Sequence, residues 1–186
     1  MKKRFWTIPL MALAVACLVF LGGCGGPSVE ELIREDIEKA FAEVSPDNEE
    51  LLTAMTESAD GGFDQLGIDP NEFATAYLDG FDHEVKEVVV DEEAGTAEAT
   101  VTVKMRSLTA IMSDFATKFQ DYFANIDPTT IESEEALYQQ AGTMLMDAVK
   151  AAEPAETDCV FTYEKDSENT WSATEGTEEQ IFEAMM

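Results

Sequence analysis

A single histidine among carboxylates is the first candidate for chemistry in this chain of 186 residues. His83 is followed by Glu84 and preceded by Asp79 and Asp82. An imidazole beside carboxylates has the parts of a general base, because nearby negative charge favours its protonated form. His83 with Asp79 or Asp82 is therefore the candidate catalytic group of a small hydrolase or isomerase. The alternative is a polar junction between a helix and a strand that faces solvent.

Clustered carboxylates are the second candidate, because hard cations such as Ca²⁺ prefer oxygen ligands. Two acidic groups qualify by composition, and they are Asp60, Asp64 and Asp69, and Asp91, Glu92 and Glu93. Neither group has the alternating acidic residues and central glycine of an EF-hand loop. The sequence also lacks a glycine-rich phosphate loop and paired His or Cys ligands. It predicts an acidic surface, with no metal site and no cofactor.

The three cysteines differ in their surroundings. Cys17 lies in an apolar N-terminal run, and Cys24 follows two glycines. Cys159 alternates with Phe161 and Tyr163, a pattern that places all three side chains on one side of a strand. The sequence therefore predicts that Cys159 is a buried structural thiol and not a nucleophile.

The N-terminus resembles the signal peptide of a bacterial lipoprotein precursor of the Gram-positive type. Lys2, Lys3 and Arg4 precede residues 5–20, which carry no charge. The lipobox that would follow consists of Leu21, Gly22, Gly23 and Cys24, with Gly22 a less typical choice. The arrangement of a cationic start, an apolar run and a small-residue cleavage site is typical of an export signal.

This resemblance implies that the thiol of Cys24 carries a diacylglyceryl group and that the chain is cut just before it. Residues 1–23 would then be the signal peptide, residues 24–27 a short tether and residues 28–186 one domain. Acyl chains such as palmitate would hold that domain on the outer face of the cytoplasmic membrane. The alternative is a retained helix over residues 5–23, which is just long enough to span a bilayer. Both topologies place the domain outside the cytoplasm.

The charge of the chain restricts its partners. The net charge is −28, and the loss of residues 1–23, which contain three basic and no acidic residues, would make it −31. Such a surface repels phosphate backbones and anionic headgroups, so nucleic acid is excluded as a partner. The remaining partners are the membrane through the lipid, and an unknown cationic or neutral ligand or envelope protein. Solubility alone is the other explanation of the charge.

Hydrophobic periodicity predicts a mixed succession of elements. Three N-terminal helices begin at Ser28, Ser45–Pro46 and Asp69–Pro70, with a loop at Gly61, Gly62 and Gly67. A hairpin then pairs residues 85–90 with 97–106, and a second hairpin pairs 159–165 with 169–174. Between the hairpins, a helix after Ser107 has an inner stripe at Leu108, Ile111, Met112, Phe115, Phe119, Tyr122 and Phe123. A second helix begins near Ser133, and a terminal helix begins near Thr177.

Short, segregated strands favour the α+β class. The layout of strand 96–106, the helical insertion after it and the closing strand with Trp171 is similar to cystatin-like, nuclear-transport-factor-two-like lipoproteins of Gram-positive bacteria. That likeness implies a curved antiparallel sheet of about four strands, packed by the N-terminal helices, the inserted helical pair and a short C-terminal helix. The apolar stripe and the closing strand supply the pocket candidates Phe115, Phe119, Tyr122 and Trp171, and the alternative is that the stripe is ordinary core.

The sequence supports a binding module more than an enzyme. The first hypothesis is an anchored extracytoplasmic module of unassigned activity that binds a ligand or an envelope protein. The second is a cone-shaped enzyme that uses His83. The third is an envelope spacer or assembly element, which a large exposed apolar patch or a self-complementary face would favour.

Overall fold

The computed structural model describes residues 18–19, 27–127, 131 and 133–186, and within them the protein is α+β. The lipobox residues 21–24 lie outside the described part. The elements in chain order are β1 (Leu18–Val19), α1 (Val29–Ala42), α2 (Glu49–Ser58), α3 (Gly62–Leu66), α4 (Pro70–Leu78), β2 (Asp82–Asp91), β3 (Thr96–Met105), α5 (Leu108–Asn125), α6 (Glu134–Ala151), β4 (Ala155–Lys165), β5 (Thr170–Ala173) and α7 (Glu175–Met185).

Strands β2 to β5 form an unclosed antiparallel sheet in the order β5-β4-β3-β2. Both predicted hairpins are confirmed, since β2 pairs with β3 and β4 pairs with β5. The two residues of β1 extend the β5 edge, with Leu18 opposite Trp171 and Val19 opposite Thr170. The register of β2 shifts at Lys86, a bulge that together with charged side chains protects this outer edge.

The core begins with the alternation of β3. Five of its side chains are at most 5% exposed, and they are Ala97, Ala99, Val101, Val103 and Met105. The register places Ala99 opposite Phe161 and Ala97 opposite Tyr163, so small side chains face large ones across the two strands. Cys159 lies opposite Val101 and is 1% exposed, which confirms the predicted burial of its side chain.

Helix α1 lies against β2 and buries Ile33 and Ile37 completely. It starts at Ser28 with the predicted capping box, in which Ser28 and Glu31 exchange hydrogen bonds. The hydroxyl of Tyr163 donates to the carboxylate of buried Asp36 at 3.3 Å. This bond ties the helix to the sheet from inside the core.

Helix α7 packs against β4, whose outer edge β5 covers only from Tyr163 to Lys165. Side chains of α7 take the place of a strand before that point. The Val160 N–H donates to Gln180 Oε1 at 3.2 Å, and the Thr162 N–H donates to Thr177 Oγ1 at 3.0 Å. Strand β5 does not reach these two positions, so these bonds give partners to backbone N–H groups that would otherwise be unpaired.

Two N-terminal boundaries differ from the prediction. The segment between the glycines, predicted to be a loop, contains the short helix α3. Gly61 and Gly67 adopt positive φ at its two ends, so they mark the ends of a short helix and do not prevent it. Pro46 does not start α2. That helix is capped by Asn48, whose side chain accepts from two backbone N–H groups of the first turn.

Helices α5 and α6 form the predicted helical pair, named here the arm. Ser107 and Ser133 cap them as expected, each accepting from a backbone N–H three residues on. Ile111 is the one buried residue of α5, whereas Met112 is 52% and Phe123 is 45% exposed. The prediction that these two belong to the inner stripe is therefore wrong. Helix α5 packs mainly on α6, so the residues at the outer edge of its wide apolar stripe stay exposed.

Candidate functional site

The base of the arm is fixed by a buried arginine at the end of β3. Arg106 donates from Nε to the carbonyl of Ala152 at 2.7 Å and from a terminal nitrogen to the Asp79 carboxylate at 3.0 Å. It also donates to the Asp79 carbonyl. Because Ala152 caps α6 and Asp79 caps α4, one guanidinium satisfies acceptors at the C-terminal ends of two helices. The arm therefore leaves the sheet at a defined point.

A close helix contact fixes the next turns of α6. A side chain at Gly142 would place its Cβ 2.0 Å from the carbonyl oxygen of Leu66, so only glycine allows α3 to approach this closely. Ala141 and Gly142 are buried there. Helix α6 is thus the inner helix of the arm, and α5 is the outer one.

The charged residues of α5 lie along one side of its solvent face. They are Asp121, which is exposed, and the ion pair of Asp114 and Lys118, whose side chains are 44% and 38% exposed. The other exposed residues of α5 carry no charge, and they are Thr109, Ala110, Met112, Ser113, Ala116, Thr117, Gln120, Phe123, Ala124 and Asn125. The six exposed residues of α1 include five charged ones, namely Glu30, Glu31, Glu35, Glu38 and Lys39. Apolar residues gathered on an exposed face are characteristic of interaction surfaces. In a chain with 39 acidic residues, this face is the candidate functional site.

Aromatic rings follow one another along α5. Phe115 stacks on Phe119 at 5.5 Å between ring centroids, and Phe119 meets Phe123 edge-on at 4.9 Å. Tyr122 contacts Phe123 at 6.0 Å. The structure thus gathers three of the four pocket candidates on one helix. The fourth, Trp171, lies on β5 and is 1% exposed. Their role as pocket residues stays a prediction.

Surface clefts of the described chain include three that are lined by other residues. One lies between α4 and the end of α6 and is lined by Pro46, Asn71, Glu72, Thr75, Ala76, Leu78, Asp79, Gly80 and Lys150. A second follows α2 from Glu49 to Glu57, and a third surrounds the β4–β5 turn. None of the three includes an aromatic residue of α5.

His83 lies at the start of β2 with its side chain 18% exposed. Its ring stacks on Phe41 at 4.6 Å, and its Nε2 is 3.0 Å from a carboxylate oxygen of Glu38. The alternative of a polar junction in solvent holds for Asp82 and Glu84, which are exposed, but not for the His83 ring, which α1 covers on one side. The Asp79 carboxylate contacts Arg106, and Asp82 accepts from the backbone N–H of His83. Glu38, which the sequence analysis did not consider, is the carboxylate beside the ring.

Cys159 is enclosed by backbone. Its Sγ lies 3.6 Å from the carbonyl of Gln180 on α7 and 3.9 Å from that of Thr157. Burial, with smaller contributions from Asp158 and Glu183, raises the pKa of the thiol from 9.0 to about 11. A neutral buried thiol is a poor nucleophile, which agrees with a structural role.

The predicted acidic groups are separate from these sites. Within the described residues, no group of three or more His, Cys, Asp or Glu side chains is placed to hold a metal ion. In the same part of the chain, no helix combines the length and the apolar character that crossing a bilayer requires.

The spacing of the charged residues in the sequence predicts which side of α5 carries no charge. Between residues 109 and 124 the charged residues are Asp114, Lys118 and Asp121, at spacings of four and three. Such spacings place them on one side of a helix, where Lys118 and Asp114 form an ion pair at 2.7 Å. The other side is left without charge.

Comparisons with known proteins give one similarity in fold. No family model matches the chain, and no curated protein matches it. A crystal structure from Bacillus subtilis subsp. subtilis str. 168, described as a "putative lipoprotein (ycdA)", is similar with a TM-score of 0.42 and 17% sequence identity. The similarity covers 74% of this chain and 46% of that one, so this chain spans about half the length of its structural neighbour.

Proposed function

We propose that this chain is a lipid-anchored extracytoplasmic module that binds another protein through the solvent face of α5. Cys24 carries the lipid, residues 1–23 are the export signal, and the domain stands on the outer face of the cytoplasmic membrane. The observation that supports protein binding is the part of the exposed α5 face around Met112 and Phe123, which carries no charged residue. A lipid anchor on the domain keeps this face among the other proteins of the envelope.

Burial of apolar surface supplies the driving force for such binding. Removal of apolar area from water contributes roughly 25 cal/mol per Å². Met112 and Phe123, about half exposed, are large side chains on this face. Aromatic and methionine side chains are enriched at protein interfaces, whereas acidic ones are depleted. Met112 and Phe123 are therefore two side chains of the kind that interfaces use, exposed on a protein whose surface is otherwise acidic.

The anchor is tested with Cys24→Ser, and Cys17→Ser is the matched control within the same N-terminal segment. We expect Cys24→Ser to abolish the acyl mass on the N-terminal peptide and to release the domain from, or leave it unprocessed in, the membrane fraction. Cys17→Ser should be processed like the parent chain. Mass spectrometry of the N-terminal peptide with fractionation measures both. An acylated N-terminus in Cys24→Ser would refute the anchor.

The enzyme hypothesis has less support from the geometry. His83 has Glu38 at hydrogen-bond distance, but the two aspartates proposed as its partners have other contacts. The assembly hypothesis is favoured by a specific observation, because the large apolar side chains of Met112 and Phe123 are exposed on α5. It is the second candidate function.

A further inference from the structure

The two edges of the sheet differ in how they are protected against a further strand. At the β2 edge, the bulge at Lys86 and the charged side chains of that strand hinder the addition of another strand. The four residues of β5 include no charged residue and no proline. In the structure this edge pairs with β1 in antiparallel register, with Leu18 opposite Trp171 and Val19 opposite Thr170. The β5 edge therefore has the form of a strand acceptor.

Hydrogen bonds to β4 show which backbone groups of β5 point outward. The Asp166 N–H donates to the Thr170 carbonyl at 2.9 Å, so the backbone groups of Thr170 face the β4 side. The Thr174 N–H also bonds to a carbonyl of β4. Because these groups alternate in direction along an antiparallel strand, the N–H and C=O of Trp171 and Ala173 point away from β4. They are the groups that an added strand can bind.

Cleavage before Cys24 would remove the strand that covers this edge. Strand β1 lies within residues 1–23, the segment that the proposed function assigns to the export signal. The sheet of the mature domain then ends at β5, with the outward backbone groups of Trp171 and Ala173 open to other chains. A row of unpaired N–H and C=O groups at a sheet edge is a template for another strand.

We propose that the β5 edge of the mature chain binds an extended segment of another envelope protein, which adds as an antiparallel strand in the place of β1. This inference goes beyond the α5 face and rests on the proposed function for the removal of residues 1–23. Directly opposite side chains lie on the same face of a sheet. Trp171 is 1% exposed, so the partner residue opposite it is apolar.

Charge beside β5 indicates what precedes that apolar residue in the partner. The cleft around the β4–β5 turn has three carboxylates and one ammonium among its lining residues, which are Glu164, Lys165, Asp166, Ser172, Ala173, Thr174, Glu175 and Gly176. An antiparallel partner strand begins beside the end of β5, where residues 172–176 line this cleft. Excess negative charge there attracts a cation. The partner segment is therefore cationic first and uncharged where it lies opposite β5.

A fluorescent peptide tests the pairing on the processed lipoprotein purified in detergent. The peptide has two lysines followed by residues 15–20 of this chain with Cys17→Ser, and its anisotropy should show saturable binding. Matched peptides with one backbone N-methyl group test the register. At the residue of Leu18, opposite Trp171, the methyl group removes a bond to β5, so the affinity should fall at least about tenfold. At the residue of Val19 the N–H points away from β5, so the affinity should be unchanged.

Variants of the protein test the same edge from the other side. Ala173→Pro removes an outward N–H and no bond to β4, so peptide binding should fall at least about tenfold. Its melting temperature reports whether it folds, and the N-methyl peptides decide the question if it does not. Met112→Ala on α5 is the matched control and should leave peptide binding unchanged. Replacement of the two lysines of the peptide by glutamates should weaken binding by roughly two- to fivefold.

Three results on the cleaved chain would overturn the strand acceptor and leave the proposed function intact. They are absence of peptide binding, an equal loss of affinity from both N-methyl peptides, and a loss of binding in Met112→Ala, which would place the peptide on α5. A chain that keeps residues 1–23 would overturn the acceptor together with the proposed cleavage. The mass of the N-terminal peptide from the same preparation distinguishes this case from the other three.

Discussion

Helix α1, which packs on the sheet, and helix α5 of the arm differ in how much of their surface is buried. Helix α1 buries Ile33, Asp36, Ile37 and Phe41 against the sheet and presents charges to water. Helix α5 buries Ile111 alone and presents mostly uncharged residues to water. The first arrangement completes a core within one chain. The second leaves the large apolar side chains of Met112 and Phe123 in contact with water.

The largest expected effect is on stability and separates the two helices directly. Ile37→Ala removes a side chain that is 0% exposed, so we expect the free energy of unfolding to fall by about 2–5 kcal/mol. Met112→Ala removes a side chain that is 52% exposed, and the change in the isolated chain should be within about 0.5 kcal/mol. Denaturant unfolding at low protein concentration measures both.

The contrast fails if Met112→Ala is as destabilising as Ile37→Ala. That result would mean that α5 packs within its own chain. Ile111→Ala is the control on the same helix, because its side chain is 1% exposed and its loss should cost nearly as much as that of Ile37. A larger loss of unfolding free energy for Ile111→Ala than for Met112→Ala would show that the exposure of the side chain, and not the helix it belongs to, sets the cost.

A second prediction concerns pH and the sheet side. Since the pKa of the Cys159 thiol is raised to about 11 in the folded chain, the unfolded chain loses this proton first as pH rises from 9. The contribution is complete below pH 9 and is lost between pH 9 and about 11. The loss amounts to about 2–3 kcal/mol for a shift of this size.

The measurement compares unfolding at pH 8 and pH 10.5, under reductant, for the parent and Cys159→Ala. The variant starts less stable because of the cavity, but its stability should fall less steeply with pH. Burial also raises the pKa of Tyr77 and Tyr163, so some decrease above pH 10 remains in both chains. Parallel slopes for the two chains would show that the thiol is not the titrating group.

How far the sequence could predict the fold differed between the same two regions. Alternation in β3 and the turn at residues 91–95 define a hairpin locally, so its partners and burial follow from the pattern. The α5 stripe predicted the helix and most of its inner side correctly, but it wrongly included Met112 and Phe123, which are exposed. Which edge of a wide apolar stripe is buried depends on how α5 packs on α6. The position of α6 depends in turn on contacts that are remote in sequence, such as Gly142 with Leu66. The Glu38 contact of His83 is also nonlocal, across 45 positions.

The smallest predicted effect tests whether the arm unfolds in the same transition as α1 and the sheet. Ser28 caps α1 and Ser107 caps α5, and each accepts a hydrogen bond from the backbone three residues on. Replacement of either by alanine should cost about 1 kcal/mol of helix stability. Because Ile111 and Val149 join the arm to the core, we expect one cooperative transition, with both variants lowering the melting temperature of the whole chain by similar amounts.

Hydrogen exchange resolves the alternative. If Ser107→Ala speeds exchange in α5 and leaves α1 and β3 unchanged, the arm opens separately and is the less stable unit of the two.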